Sequence, residues 1–329
     1  MAVYTDLTDE QLADLLSDYD IGNVLSLKGI AEGVENSNFL LTTELEGRPE
    51  KFILTLYEKR VNPKDLPFFI NLMTHLAESG LPCPVPVKRK DESTLSNIAG
   101  RPAAIISFLE GLSLRRPEAV HCHALGASMA EMHLAAQQFG MTRANNLSID
   151  AWPELYETSR HNADTLHAGL TELIDGELVR LKEHWPNADA TLPRGIIHAD
   201  LFHDNIFFNK DKFSGIIDFY FSCEDFFAFE IAICFNALCF DGVKENLSFN
   251  VTKAKSFIDG YSSVRKLSDP EKQSIKVLSQ GAALRFLLTR VFDALNTVEG
   301  AIVKVKDPIE YLQRLEFHKN AKNHEDYFF

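Results

Sequence analysis

Several things are missing or scarce in this sequence, and each absence excludes something. No uncharged apolar run approaches the roughly 20 residues that a membrane-spanning helix needs, so no membrane span and no membrane partner are expected. The opening stretch, MAVYTDLTDEQLADLLSDYD, lacks the basic start and apolar middle of a secretory leader, which points to a cytoplasmic protein. Cysteines are few and odd in number (Cys83, Cys122, Cys223, Cys234 and Cys239), and none forms a CxxC pair. Reduced thiols are therefore expected in place of a disulfide frame. Basic charge is in deficit: 33 Lys and Arg stand against 47 Asp and Glu, a net charge of −14. That balance argues against nucleic acid as a partner, although a local cluster of donors can still hold an anionic substrate. Internal repeats and low-complexity tracts are also absent, and nothing in the sequence bears on oligomeric state.

What remains is an ordinary globular composition over 329 residues, enough for one large domain or two lobes. A helix is expected over 8–19, opened by Thr8 with acids in its first turn. Three strand-like runs follow at 24–29, 37–45 and 51–58, with a Glu46-Gly47-Arg48-Pro49 turn before the last; they read as an antiparallel meander. Helical spacing covers 65–79, an extended proline-rich stretch covers 81–87, and a buried strand runs over 101–111. Beyond residue 112 the pattern is helical at 121–139, 152–185, 228–240, 251–263 and 270–296, interrupted by strand-like text at 195–221. The expected organisation is an α+β chain with a small antiparallel-sheet lobe at 1–106, a hinge at 107–111 and a larger helical lobe at 112–329.

The chemistry concentrates in that interruption. IFFN and FSGIID flank a polar Lys210-Asp211-Lys212 turn, a hairpin pattern. Asn205 precedes the first run and Asp218 ends the second, so pairing the runs would make the two neighbours. An amide oxygen beside a carboxylate suits Mg²⁺. Asp200, on the turn into the hairpin, is placed to accept a proton from a hydroxyl. His198-Ala199-Asp200-Leu201-Phe202-His203-Asp204-Asn205 has the spacing of the protein-kinase catalytic loop, with Ala in place of Arg. Asp218-Phe219-Tyr220 stands where the second metal-binding motif is expected, with Tyr in place of Gly.

These motifs resemble the aminoglycoside phosphotransferase and choline kinase-like group. Within it, GIAEGVENSNFLLTT (29–43), ILTLYEKRV (53–61), LPFFINLM (66–73), HADLFHDNIFF (198–208) and GAALRFLLTR (281–290) are similar to the homoserine kinase branch. The resemblance implies a bilobal protein kinase-like fold, ATP and Mg²⁺, and phosphorylation of the L-homoserine hydroxyl in threonine biosynthesis. It implies Asp200 as catalytic base, His198 as loop support, and Asn205 and Asp218 as metal ligands. Glu230 falls where relatives carry an Asp that accepts backbone hydrogen bonds from the catalytic loop. Another amino-alcohol acceptor (choline, hydroxylysine, an aminoglycoside) and a non-catalytic nucleotide-binding scaffold remain open alternatives.

Nucleotide contacts are expected from the loop around Gly29, Gly33, Asn36, Ser37 and Asn38, whose glycines let backbone amides approach phosphates, and from hinge backbone at Ser107 and Leu109. The usual strand lysine is missing: Thr55 takes its place, with Lys51 and Lys59 at the strand's two ends and Arg60 beyond. Lys59, Arg60 or a residue elsewhere supplies the cation, or Mg²⁺ neutralises more of the charge, the alternative being that these are solvated strand-end charges. A small amino-acid substrate needs a cation for its carboxylate and an acid for its ammonium. Arg285, in a largely apolar helix, is the candidate cation; Asp204, Glu224 and Asp225 are the candidate acids. Arg290 is read as paired within its own helix to Asp293. The aromatics at 219–229 would alternatively form a cation–π cage, although packing accounts for so many Phe. His121-Cys122-His123 and Cys234/Cys239 are read as packing residues, because adjacent helical side chains diverge by about 100°.

Overall fold

The computed structural model describes residues 5–30, 36–58, 61–186, 191–242, 246–296 and 306–328. It divides into two units, one formed by Met1–Glu110 with Gly215–Tyr220 and the other by Gly111–Ser214 with Phe221–Phe329.

The first unit opens with helix α1 (Asp9–Ser17), started by a capping box in which Thr8 accepts from Gln11 N and the Gln11 side chain accepts from Thr8 N. Strands β1 (Asn23–Gly29), β2 (Ser37–Leu45) and β3 (Arg48–Leu56) form the expected meander. Helix α2 (Leu66–Glu78) follows, then β4 (Leu95–Ile98) and β5 (Arg101–Ser107), which complete an antiparallel sheet of order β1-β2-β3-β5-β4. Strand β2 alternates strictly, burying Ser37, Phe39, Leu41 and Thr43, as a half-covered strand must. Phe39, Leu41, Leu54 and Ile105 from the sheet pack with Leu12, Leu15 and Leu16 of α1.

The second unit begins with β6 (Leu112–Ser113) and helices α3 (Ala119–Ala136), α4 (Trp152–Arg160) and α5 (Leu170–His184). Strand β7 (Arg194–Ile197) leads to the catalytic-loop sequence, followed by the β8 (Ile206–Asn209) and β9 (Lys212–Ile216) hairpin, β10 (Cys223–Phe226) and α6 (Phe227–Leu238). The short β11 (Phe240–Asp241) and β12 (Ser248–Phe249) pair before α7 (Val251–Val264), α8 (Asp269–Asn296), α9 (Ile309–Asn320) and the terminal turn α10 (Glu325–Phe328). Helix α8 is the spine of this unit, with α4, α5, α6 and α9 packed along it. No helix among the described residues is long and apolar enough to cross a membrane. All five cysteines are unbridged and buried.

One boundary differs from the sequence reading, which keeps all of 112–329 together. Gly215–Tyr220 belong to the first unit. Ile216 N donates to Pro82 O at 3.1 Å. Gly215 has φ +151° and a Cβ there would lie 2.4 Å from the Pro82 oxygen, so the close approach requires glycine. The Tyr220 hydroxyl meets that of Tyr57 at 2.9 Å.

Candidate active site

Strand β7 delivers the chain into the loop at His198, and its pairing with β10 places Ile197 opposite Cys223. Ala199 then takes φ +66°, a left-handed conformation that costs a residue with a Cβ about 1–2 kcal/mol. Glu230 on α6 holds that turn. Its Oε2 accepts from His198 N at 2.9 Å and its Oε1 from Ala199 N at 2.6 Å. The side chain is fully buried. Burial alone would raise its pKa, yet the His133 hydrogen bond and the charges of His133 and His198 hold it below the ordinary carboxylate value.

Behind Glu230 lies a buried polar chain. His133 Nε2 meets Glu230 Oε2 at 2.9 Å, and His133 Nδ1 meets the Tyr261 hydroxyl at 2.9 Å. Arg265 donates to that hydroxyl at 3.1 Å and to Glu271 at 2.8 Å. His133 stacks on Phe227 with ring centroids 4.3 Å apart. No short motif marks His133, Tyr261 or Arg265, because their partners come from α6, α7 and α8. The available sequence signal is polar residues at core positions of apolar helices.

Asp200 follows the strained turn. Its backbone N–H donates to His198 Nδ1 at 3.3 Å, so the histidine braces the loop from within. Asn205 Nδ2 donates to the Asp200 carbonyl at 2.9 Å and to its Oδ2 at 3.3 Å. The Asn205 nitrogen thus faces Asp200, which leaves Oδ1 as the atom for a cation. Asp200 is half-buried, and loss of solvation raises its pKa against the opposing fields of Arg285, His198 and Lys306.

Arg285 is 2% exposed. Its NH1 donates to the Ala199 carbonyl, and its guanidinium lies 4.4 Å from the Phe286 ring centroid. Among the described residues its Nε has no hydrogen-bond partner. Arg285, expected to take a substrate carboxylate, is buried and binds the backbone of the strained turn through NH1. Glu224 and Asp225, expected near a substrate ammonium, are also engaged within the unit. Glu224 pairs with Arg194 at 3.3 Å. Asp225 accepts from Asn145 and from Phe226 N, both at 2.7 Å. Asp204 sits on the turn before Asn205 and pairs with Lys306 at 3.3 Å. Arg290 pairs with Glu310 at 2.9 Å and donates to the Asp307 carbonyl.

In the first unit, Asp218 has φ +66°. It lies near enough to Tyr57 and Tyr220 to raise their pKa values, although burial is the larger cause; Tyr220 reaches about 12. Thr55, at the lysine position, is buried and donates to Asn38 Oδ1 at 2.8 Å. Asn36 Oδ1 accepts from Glu58 N at 3.3 Å, and the Ser37 hydroxyl donates to Glu58 Oε1 at 2.7 Å. Gly29 ends β1; Gly33, Lys59 and Arg60 lie outside the described residues. Lys51 stacks over Phe108. At the end of β5, Ser107 N donates to the Val85 carbonyl and its hydroxyl accepts from Val85 N, both at 2.8 Å.

The phosphotransferase enzyme family matches over residues 26–266. The chain belongs to that family. A homoserine kinase of Sinorhizobium fredii is 53% identical over 99% of this chain and 97% of its own length. One of Afipia carboxidovorans is 55% identical, covering 98% and 96%. Among solved structures, an amicoumacin kinase superposes with a TM-score of 0.70 at 14% identity, covering 97% of this chain and 95% of that one. A choline kinase of Cryptosporidium parvum superposes with a TM-score of 0.67 at 16% identity, covering 95% and 94%. The fold is kinase-like, with an antiparallel sheet in one unit and a mainly helical second unit.

Proposed function

We infer that the chain transfers the γ-phosphoryl group of ATP to the side-chain hydroxyl of homoserine, giving O-phosphohomoserine and ADP, a step of threonine biosynthesis. The observation that carries this reading is a catalytic loop pinned by Glu230, with Asp200 beside Asn205, in a chain more than half identical to homoserine kinases over nearly its full length.

Asp200 accepts the hydroxyl proton as the substrate oxygen forms its bond to the γ-phosphorus and the bond to the β-phosphate oxygen breaks. Its raised proton affinity suits that task. Asn205 Oδ1 in the second unit and the Asp218 carboxylate in the first are each hard oxygens of the kind Mg²⁺ takes. When bound, Mg²⁺ neutralises charge on the phosphates. His198 and Glu230 position the loop. With the Ser107 amide spent on Val85, the adenine edge reads the Ser107 carbonyl and the Leu109 amide. The Asn36, Ser37 and Asn38 side chains hydrogen-bond within the first unit, so phosphate contacts at these positions fall to backbone amides.

A coupled ADP-release assay across homoserine, choline, hydroxylysine and an aminoglycoside tests this reading. The expected result is highest kcat/KM with homoserine, loss of turnover in EDTA and recovery with Mg²⁺. Turnover of choline but not homoserine would overturn the acceptor. ATP binding without turnover of any acceptor would make the chain a scaffold.

A further inference from the structure

Homoserine carries both its charges on one carbon, two methylene-type carbons short of its hydroxyl. Whatever reads those charges must therefore stand close to the base that takes the hydroxyl proton. Four ionisable side chains surround Asp200: Arg285, His198, Asp204 and Lys306. His198 is fully buried within the loop, and Arg285 is 2% exposed and bound to the Ala199 carbonyl. The other two are different. Lys306 Nζ and Asp204 Oδ2 are 3.3 Å apart, with side chains 55% and 48% exposed. Asp204 is held in place by the short helical turn His203–Asn205. The Lys306 ammonium sits over the Phe202 ring, 5.1 Å from its centroid, and Phe202 in turn packs edge-on against Phe286.

We propose that Lys306 and Asp204 together read the amino-acid end of the substrate, Lys306 taking the carboxylate and Asp204 the ammonium. This assignment rests on homoserine as the acceptor. An ion pair in the protein is the electrostatic mirror of a zwitterion. Asp204 Oδ1 also lies 3.5 Å from His203 Nδ1; when substrate binds, the Lys306–Asp204 pair becomes a square of alternating charges. Opening the pair costs little, because both partners are exposed to water and such pairs contribute little when solvated. Hydrogen bonds made to charged groups as substrate excludes water are stronger than neutral ones. The Phe202 ring keeps the ammonium of Lys306 near the loop while leaving it a mobile partner. The same geometry supplies selectivity. A quaternary amine without a carboxylate leaves Lys306 with Asp204 unavailable, whereas an acid without an amine leaves Asp204 facing the incoming carboxylate.

The test uses the full chain with three alcohols: homoserine, 3-aminopropan-1-ol, which lacks the carboxylate, and 4-hydroxybutanoate, which lacks the ammonium. Lys306→Met should lower kcat/KM for homoserine about 10- to 100-fold, the size expected for losing contacts to a charged group. It should spare or raise kcat/KM for 3-aminopropan-1-ol, because Asp204 is then no longer paired with Lys306, and leave the KM for ATP in place. Lys306→Arg should retain the preference for homoserine. Asp204→Asn should lower homoserine turnover while raising or sparing that of 4-hydroxybutanoate. Equal losses on all three alcohols, or unchanged values on all three, would overturn the proposal while leaving homoserine as acceptor. A wild-type chain that binds ATP but turns over no homoserine would overturn both.

Discussion

Glu230→Gln is the perturbation with the most direct structural arithmetic. The carboxylate accepts three donors: Ala199 N on Oε1, and His198 N and His133 Nε2 on Oε2. An amide has one oxygen and one NH₂ group, so at least one of these donors must face another donor. Each hydrogen bond to a charged acceptor contributes about 1.5–3 kcal/mol. The left-handed Ala199 already costs about 1–2 kcal/mol. Losing one bond therefore removes about as much as the strain the carboxylate offsets, and the loop populates conformations with Asp200 misplaced. At about 1.4 kcal/mol per tenfold, kcat should fall about 10- to 100-fold. The KM for ATP should hold within about threefold. Steady-state kinetics checks the first, and amide hydrogen exchange at His198 and Ala199 should show a matching loss of protection. A folded variant with kcat within threefold of wild type would refute the reasoning.

Other expectations follow from single contacts. Ala199→Gly relieves the left-handed strain and should raise stability by up to about 1 kcal/mol, whereas Ala199→Val should lower it by more; denaturant unfolding decides. Gly126 packs α3 on α7 so closely that a Cβ would lie 2.1 Å from the Phe257 oxygen, so Gly126→Ala should cost about 3 kcal/mol or more and lower Tm clearly. His318 is buried, and that burial, aided by Arg314, lowers its pKa from 6.5 to about 3. The unfolded chain therefore binds a proton that the folded chain refuses between those values. Its contribution to stability is complete above pH 6.5 and is lost as pH falls, by up to about 1.4 kcal/mol per pH unit. His318→Gln should flatten the dependence of unfolding free energy on pH over that window; an unchanged slope would contradict it.

Much of the fold is legible because its signals are local. Strand β2 coincides with the run 37–45, since Phe39, Leu41 and Thr43 alternate with outward residues. The catalytic-loop residues are legible because kinase spacing is a property of the chain itself. What the sequence hides depends on contacts between distant segments. Nothing near Ile197 says that Cys223 will pair with it. Helix α9 dilutes Tyr311, Leu312, Leu315 and His318 among charged residues, so its buried stripe emerges only against α8. Arg285 reads as a ligand because a lone arginine in an apolar helix demands an acceptor. The acceptor is a backbone carbonyl, exposed by the strained turn at Ala199, and backbone acceptors leave no trace in composition. Lys306 has the opposite problem. It looks like any surface lysine until the fold sets it beside Asp204.

Single-turnover transfer by Asp200→Asn, with ATP and homoserine both saturating, tests the role of the loop most directly. The substitution keeps the shape of the side chain while removing its capacity to take a proton. The expected result is ATP binding within about threefold of wild type by calorimetry, and phosphoryl transfer slowed by at least about 100-fold, the lower end of a general-base contribution. Transfer at the wild-type rate would contradict the assignment of Asp200 as the base, and with it the reading of the His198–Asn205 loop as the centre of the chemistry.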